Sequence, residues 1–330
     1  MSRWGHAGGP RHRHGRWPLY LPARAEAVEN GTGVNDNLKG ILAVLSCSTV
    51  FVVSDAIVKL VSASLPVSEI IFLRGLMATV MLAAGTMGLG YMRPLAVLLE
   101  PLMLARIVAA AGASTLVVCS LRDLPLANVN AVMQMTPLAV TAGAAIVYRE
   151  RVGPSRWLAA IAGFVGVLLI VKPTSGVFGW AAYTVLLALV FTTTRDLTTR
   201  GLSRDIPSMF VGAASAAAIT LSGLLVSPLD APWTMPSPQA WKLMAFSAAC
   251  LFAGNTLLVM SLRTGEIGVV APFRYAPVPL SIFLGYAWWG DIPDGIAIAG
   301  IFLVLAAGLS LLYTERLTLL SKSPRSERAS

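Results

Sequence analysis

Apolar runs separated by short polar, Gly-containing or Pro-containing turns follow one another along almost the whole chain. Each run is close to the roughly 20 residues that an α-helix needs to cross the hydrocarbon core of a bilayer. The spans predicted from this pattern are 38–60, 67–89, 103–121, 125–148, 156–172, 178–197, 206–226, 240–262, 267–289 and 293–313. The pattern therefore predicts an all-α integral membrane protein with ten transmembrane helices.

The composition supports a location in the bilayer and argues against a soluble domain. Hydrophobic residues make up 56% of the 330 residues and charged residues only 12%, and the mean hydropathy is +0.72. The net charge of +9 would suit a nucleic-acid partner if the basic residues lay on one soluble face. They form short clusters between the spans instead, so we expect the lipid bilayer as a partner and no nucleic acid.

One passage of the chain occurs twice, which predicts an internal duplication. The Ser-Leu-Arg tripeptide at 120–122 returns at 261–263, and Gly163 returns as Gly300. Five spans in each copy make an odd number of crossings, so the second copy must enter the membrane from the opposite side. The predicted organisation is a disordered basic tail, two inverted five-helix repeats and a cytoplasmic C-terminal tail, at 1–37, 38–172, 178–313 and 314–330.

The positions of Lys and Arg predict how the chain is oriented. With the N-terminus inside, 18 of the 25 basic residues fall on the cytoplasmic side and at most 4 on the external side. Because basic residues are enriched in cytoplasmic loops, both termini are expected in the cytoplasm. In a cell of the Gram-negative type, the multi-pass chain would lie in the inner membrane. Residues 1–35 hold no apolar core of a cleavable signal, so we expect the first span to insert the chain.

Several kinds of chemistry lack their residues in this sequence. The three cysteines stand alone in three different spans, and the three histidines all lie in the N-terminal tail. A metal-binding tail is the alternative to a disordered one. A nucleophile elbow, an HExxH sequence and a P-loop are all missing. We therefore expect no enzyme activity, no cofactor, no metal in the spans and no direct use of ATP.

Charged residues inside the spans are the first candidates for a binding site. A charge near the middle of a span costs about 2.5 kcal/mol or more, so it needs a partner or a wet cavity. Asp55 and Lys59 lie four residues apart on one helix face, which allows either a structural ion pair or an Asp55 that faces a cavity to hold a proton or a cationic group. Arg74 lies roughly 7.5 Å deeper than Glu69, and this depth favours a role in binding.

Amide side chains are the second set of candidates. Asn130 and Gln134 share a face of the fourth span just before Pro137, and Asn255 lies in the eighth span. Such amides either contact a solute or join helices by hydrogen bonds, which are worth about 0.6 kcal/mol each on average in membranes. The sequence leaves both roles open.

Prolines in the ninth span indicate a loosened helix. Each proline removes a backbone donor and frees a carbonyl four residues earlier, which hydrocarbon tolerates only beside a cavity or another helix. The repeat places Pro137 opposite Val278, so both copies loosen a helix at an equivalent depth, and this predicts a binding site between the halves. The ninth span contributes the candidates Pro272, Arg274, Tyr275, Pro277 and Pro279.

These features together resemble the drug/metabolite transporter superfamily, EamA type, from residue 38 to the region of residue 315. The resemblance rests on the paired five-helix repeats, Arg74 within 68–74, Pro137 followed by the turn at Glu150, and Ala-Pro-Phe-Arg-Tyr at 271–275. The segments 53–56, 195–197 and 271–275 look most like the members that take up riboflavin or S-adenosylmethionine. The usual Gly-Glu turn of the second repeat appears here as Gly290-Asp291.

The resemblance implies a secondary carrier that moves one small organic metabolite by alternating access, with riboflavin uptake as the leading prediction. The residues expected to hold riboflavin are Arg74, Asn130, Gln134, Arg274 and, by stacking, Tyr275. S-adenosylmethionine uptake, for which Asp55 would supply the matching negative charge, and efflux of amino acids or drugs are alternatives within the class. A non-transporting membrane scaffold is the alternative from another class, and a homodimer stays open.

Overall fold

The computed structural model describes residues 34–149, 153–172, 179–203, 205–263 and 270–321. The predicted disordered tail before residue 34, the turn at Glu150 and the end of the C-terminal tail lie outside the described residues. All regular secondary structure in the described ranges is helical, which confirms the predicted all-α fold.

Eleven α-helices build the described part of the chain, with short 3-10 helices at Leu95–Leu99, Ser227–Leu229 and Ala271–Tyr275. In chain order they are α1 (Val34–Val61), α2 (Val67–Gly88), α3 (Pro101–Asp123), α4 (Leu126–Met133), α5 (Thr136–Val147), α6 (Pro154–Val171), α7 (Gly179–Gly201), α8 (Ser208–Val226), α9 (Pro238–Arg263), α10 (Pro277–Trp289) and α11 (Gly295–Ser321).

The helices coincide with the ten predicted spans to within about four residues at every end but one. The last helix continues to Ser321 instead of ending at 313, so it extends into the segment predicted as the C-terminal tail, and α1 begins at Val34, inside the predicted N-terminal tail. The fourth span consists of α4 and α5 together, and the ninth consists of the 3-10 helix at 271–275 followed by α10. Seven stretches in the described ranges are long and apolar enough to cross a membrane by themselves. The other three predicted spans correspond to α7, α9 and the interrupted ninth span.

Helices at equivalent positions of the two repeats pack against each other in opposite directions. Along α2 and α8, Gly75 lies against Thr220 and Gly85 against Met209, so residue numbers rise in one helix as they fall in the other. In addition, α1 packs on α9 and α3 packs on α7, and exchanging the two halves leaves this set of contacts unchanged. The packing confirms the inverted repeat.

Two close helix crossings mark the pseudo-two-fold relation between the halves. Thr79 of α2 and Thr220 of α8, which are equivalent positions of the two repeats, share a hydrogen bond of 3.1 Å. Where α6 crosses α11, a Cβ on Gly166 would lie 2.8 Å from the carbonyl oxygen of Gly300, and a Cβ on Gly300 would lie 2.6 Å from that of Gly166. Because only glycine leaves room for this approach, the backbones of the two halves meet directly.

The bundle has two ends, which we name by their loops. The proximal face carries residues 34 and 321, and the distal face carries the turn at Leu124, the end of α6 and the segment 227–237. Lys172 after α6 pairs with Asp294 before α11 at the distal face. In the predicted orientation the distal face is external.

Candidate solute-binding site

The fourth span is interrupted near its middle. Helix α4 ends at Met133, Gln134 and Met135 form a turn, and α5 begins at Thr136. Pro137 has no N–H to bond to the carbonyl of Met133, and the hydroxyl of Thr136 donates to that oxygen instead, at 2.6 Å. The helix therefore breaks at the predicted place, beginning three residues before the proline.

The ninth span is interrupted where it meets the fourth. Pro272 lies in the 3-10 helix and Pro277 opens α10, with Pro279 in the first turn of α10, where a missing N–H costs little. Gln134 Nε2 donates to the carbonyl oxygen of Arg274 at 2.8 Å. This hydrogen bond joins the two interruptions, one from each half of the protein.

Arg274 and Tyr275 lie in different surroundings. The Arg274 residue is exposed. Tyr275 is only 8% exposed, and its ring packs on α11 at Gly308, where a Cβ would overlap the tyrosine hydroxyl. Because the ring fills a gap between helices, its placement does not match the predicted role as a stacking surface for the solute.

Two of the predicted residues, Arg74 and Asp55, lie together in a buried polar cluster. Arg74 is 8% exposed; its Nη2 donates to Ser54 Oγ at 3.0 Å and lies 3.8 Å from Asp55 Oδ1. Ser54 Oγ is 2.8 Å from Ser247 Oγ in α9. Among the described residues Arg74 Nε finds no hydrogen-bond acceptor. The cluster joins α1, α2 and α9 and keeps one buried donor unused.

Sequence reasoning missed Ser54 and Ser247 as parts of this cluster. Serines are frequent in transmembrane helices because they allow close packing and hydrogen bonds between helices. Only the antiparallel packing of α1 on α9 shows that these two hydroxyls meet beside the guanidinium of Arg74.

Lys59 pairs across the bundle rather than with Asp55, its predicted intrahelical partner. Its Nζ donates to the carbonyl of Leu124 at 2.7 Å and to Asp291 Oδ2 at 3.3 Å, and it lies 5.4 Å from the centre of a Trp289 ring. Lys59 lies one turn nearer the distal end of α1 than Asp55, so it reaches the turn between α10 and α11. The contacts of Lys59 with Leu124 and Asp291 form what we call the distal tie.

The start of α2 is covered at the distal face by the segment after α8. The backbone N–H of Ser68 donates to Asp230 Oδ2 at 2.8 Å, and Trp233 Nε1 donates to Ser68 Oγ at 2.9 Å. Glu69 accepts the backbone N–H of Thr234 at 3.1 Å. Glu69 therefore serves this loop contact rather than pairing with Arg74.

Asp230 is adapted to its role at the start of α2. Partial burial acts to raise the pKa of Asp230, but hydrogen bonds from the backbone N–H groups of Ser68 and Ala231 and from the Ser68 side chain hold it below the ordinary value of 3.8. The carboxylate thus stays charged where the helix presents unsatisfied N–H groups.

The three asparagines near the site differ in their surroundings. Asn130 donates to the carbonyl of Leu126 in its own helix at 3.2 Å, which uses part of its amide. Asn128 is 5% exposed, and its Oδ1 has no partner in the described part of the chain; no sequence pattern marks such an unpaired acceptor. The side chain of Asn255 lies outside the described residues.

A groove on the outer surface is a poor alternative to this site. It has a volume of about 530 Å³ and lies between α3 and α7, where all its lining side chains except Thr194 are apolar. Such a lining offers a metabolite almost no hydrogen-bonding partners, which specific ligand sites require.

Comparison with known proteins identifies the type of chain. The EamA-like transporter family matches residues 38–172, which is the extent predicted for the first repeat. This chain carries an EamA domain of the drug/metabolite transporter superfamily. It is a membrane transporter of the EamA type, as the resemblance of its sequence implied.

The relatives of this EamA protein have different names. It is 28% identical to the pseudopaline exporter CntI of Pseudomonas aeruginosa over 86% of this chain and 99% of the exporter. It is 27% identical to a riboflavin transporter of Rhizobium johnstonii over 64% of this chain and 70% of that protein. It is 23% identical to an S-adenosylmethionine uptake transporter of Rickettsia prowazekii over 60% of this chain and 67% of that protein.

A solved structure supports the fold of the EamA protein. A crystal structure of a protein with 18% identity superposes with a TM-score of 0.57 and covers 86% of this chain and 99% of the other. At this identity the likeness concerns the fold alone. The fold extends well beyond the segment 38–172 that the family matches.

Proposed function

We propose that the protein is a secondary transporter that moves a small organic metabolite across the inner membrane by alternating access, with both termini in the cytoplasm. The observation that carries the proposal is the hydrogen bond from Gln134 to the carbonyl of Arg274, 2.8 Å long. It connects two interrupted helices from opposite halves, and carriers built from inverted repeats place their substrate sites at such interruptions.

The charged residues near this contact support a polar solute. The exposed Arg274 belongs to the interrupted ninth span, and the buried Arg74 keeps an unused donor. Charges at this depth are costly in a protein that only packs in lipid. A scaffold without transport would have no need of them.

We propose riboflavin as the first solute to test, with S-adenosylmethionine as the second. Both names occur among the relatives, and both agree with the resemblance of the segments 53–56 and 271–275. The relative that aligns over 99% of its length is named as an exporter, so efflux must be tested together with uptake. Arg274, Arg74 and the free part of the Gln134 amide are the groups assigned to the solute.

Flux into proteoliposomes tests the function. Labelled riboflavin and S-adenosylmethionine are offered to vesicles that contain the purified protein, and counterflow from preloaded vesicles tests the outward direction. We expect saturable flux of one solute and a loss of about 100-fold in Arg274→Ala, because about 2.7 kcal/mol of binding is worth that factor.

Arg122→Ala is the matched control, because Arg122 is exposed at the distal end of α3. We expect this variant to keep the wild-type flux. Equal flux in the Arg274→Ala and Arg122→Ala proteins would contradict the assigned site. No saturable flux of any solute in either direction would contradict the transporter proposal and favour a scaffold.

A further inference from the structure

The Arg74 cluster contains a buried cation whose hydrogen-bonding capacity is only partly used. Arg74 Nη2 is used by Ser54, but Nε is buried and has no acceptor among the described residues. A buried charged donor without a partner carries a large desolvation cost. The position beside Nε therefore suits an oxygen that arrives from outside the protein, and a carboxylate is the natural partner of a guanidinium because it accepts two parallel hydrogen bonds.

Asp55 does not fill that position. Its Oδ1 lies 3.8 Å from Arg74 Nη2, which is too long for a hydrogen bond. The Asp55 side chain is also the more open of the two, at 22% exposed against 10% for Arg74. Asp55 is therefore the more accessible partner of the two.

The charge balance of the cluster decides what can bind. Asp55 and Arg74 together are neutral, so a solute carboxylate beside Arg74 would leave two negative charges and one positive charge in a poorly hydrated region. The solute carboxylate would then lie near the Asp55 carboxylate, and two like charges repel strongly where water is scarce. A proton on Asp55 removes this repulsion and restores neutrality.

We propose that Arg74 binds a carboxylate group of the solute and that Asp55 takes up one proton from water as the carboxylate takes its place. This inference rests on the proposed transport function and names the chemical class of its substrate and its coupling ion. Of the two solutes proposed for testing, only S-adenosylmethionine carries a carboxylate, so the inference favours it over riboflavin. Each transported carboxylate then moves together with one proton. The cluster releases the carboxylate when Asp55 loses its proton and approaches Arg74 again.

The other charged groups around the cluster are engaged or exposed, and the nearby thiols of Cys47 and Cys250 are buried. Lys59, also on α1, belongs to the distal tie, and Glu69 of α2 accepts from Thr234. Cys250 of α9 lies near Arg74 and is buried. On α3, the guanidinium of Arg106 donates to two hydroxyls. The remaining charged residues whose side chains are described on α1 and the elements packed against it are exposed, namely Lys39, Arg122, Asp123, Lys242 and Arg274.

Binding of benzoate to the purified full chain in detergent tests the proposal, with benzamide as the uncharged analogue. The dissociation constant is measured by calorimetry between about pH 7 and about pH 9, far above the usual pKa range of carboxyl groups. Uptake of one proton for each anion makes the affinity fall about tenfold per pH unit as the pH rises. We expect this slope for benzoate and no slope for benzamide.

Three variants separate the role of Asp55 from general effects on the protein. Asp55→Asn, which keeps the side-chain shape, should bind benzoate with no pH slope, because the site no longer takes up a proton. Asp196→Asn is the matched control, since the register that aligns 120–122 with 261–263 places Asp196 opposite Asp55 in the second repeat. We expect Asp196→Asn to keep the wild-type slope, and Arg74→Gln to lose benzoate binding at every pH.

Three results would overturn the proposal: no benzoate binding by the wild type, binding that does not change with pH, or a slope that survives in Asp55→Asn. The second result would fit a zwitterionic solute that satisfies both charges without a proton. Flux of S-adenosylmethionine, which carries a carboxylate, that is unaffected in Asp55→Asn would remove this inference and leave the transporter proposal standing. Proton-linked benzoate binding without flux of any solute would support this inference about the binding site and contradict the transporter proposal.

Discussion

Asp55 and Asp196 occupy equivalent positions in the two halves, but their surroundings differ. Asp55 lies beside a buried arginine from another helix, at 3.8 Å. Asp196 pairs at 2.9 Å with Arg195, its neighbour in the same helix, and the two side chains are 39% and 37% exposed. The same kind of residue is thus kept in a tight, hydrated pair in one half and in a loose, buried pair in the other.

Arg106 forms a second polar cluster, which can be compared with the cluster around Arg74. Arg106 of α3 donates to Ser215 Oγ and, at 2.9 Å, to Thr199 Oγ1. The register of the repeat makes Ser215 the counterpart of Arg74 and Ser247 the counterpart of Arg106. In one cluster the arginine is on α2 and the serine is on α9. In the other the serine is on α8, the counterpart of α2, and the arginine is on α3, the counterpart of α9. Arginine and serine have therefore exchanged places between two equivalent pairs of helices.

This comparison explains why only one cluster is a strong candidate for binding. Arg106 has two hydroxyl partners, whereas Arg74 has one and keeps Nε without an acceptor in the described ranges. Because the repeat is inverted, equivalent positions lie toward opposite faces of the membrane. In this structure the cluster toward the distal face is buried and incomplete, and the one toward the proximal face is open and satisfied.

Removing each arginine in turn should change the stability most and tests whether the two clusters differ. Arg74→Ala leaves Asp55 buried without its cation, so we expect a loss of about 3 to 5 kcal/mol in the free energy of unfolding. Arg106→Ala should cost clearly less, because its partners are neutral hydroxyls. Thermal unfolding of both variants in detergent measures the difference. Equal losses would show that the two clusters are energetically alike.

The helix crossing that carries both clusters is the next target. Arg74 lies on α2 and Ser215 on α8, and a Cβ on Gly223 would lie 2.6 Å from the backbone nitrogen of Phe72. We expect Gly223→Ala to destabilise the protein by about 1 to 3 kcal/mol, because backbone cannot move aside as a side chain can. Gly212→Ala on the same helix is the control, since its nearest neighbour would be 3.8 Å away.

The cover over the buried cluster should depend on acid. The folded-state pKa of Asp230 lies below its ordinary value of 3.8, so its contribution is present above that pH and is lost as the pH falls through the lower folded value. Asp230→Asn, which keeps an acceptor oxygen but removes the charge, should cost about 1 kcal/mol near neutral pH, the worth of a carboxylate charge at a helix N-terminus. Unfolding temperatures of the variant and the wild type should converge in acid; a gap that stays constant with pH would contradict this role.

The smallest effect is expected for the hydrogen bond between Thr79 and Thr220, which joins equivalent positions of the two repeats. Thr79→Val and Thr220→Val each remove one partner of the hydrogen bond between α2 and α8. A double-mutant cycle on unfolding in detergent should give a coupling of about 0.6 kcal/mol, the average for such bonds in membranes. A coupling near zero would mean that the contact reports the symmetry without stabilising it.

The pattern of apolar residues was sufficient for the helices and their inversion. Length and hydropathy place the spans, and five spans in each copy require opposite insertion, because both properties depend on local sequence and on the thickness of the bilayer. Pro137 likewise marks the break in the fourth span, since a missing N–H acts on its own helix.

Partners that come from different helices were decided by the tertiary structure alone. Lys59 binds Asp291, far along the chain, although Asp55 lies one turn from it in sequence, and Tyr275 fills the space over Gly308 rather than facing a solute. Ser54 and Ser247 meet beside Arg74 only because α1 packs antiparallel on α9. Hydropathy states that a side chain is buried, but the choice among buried partners depends on which helix faces cross and how closely they approach.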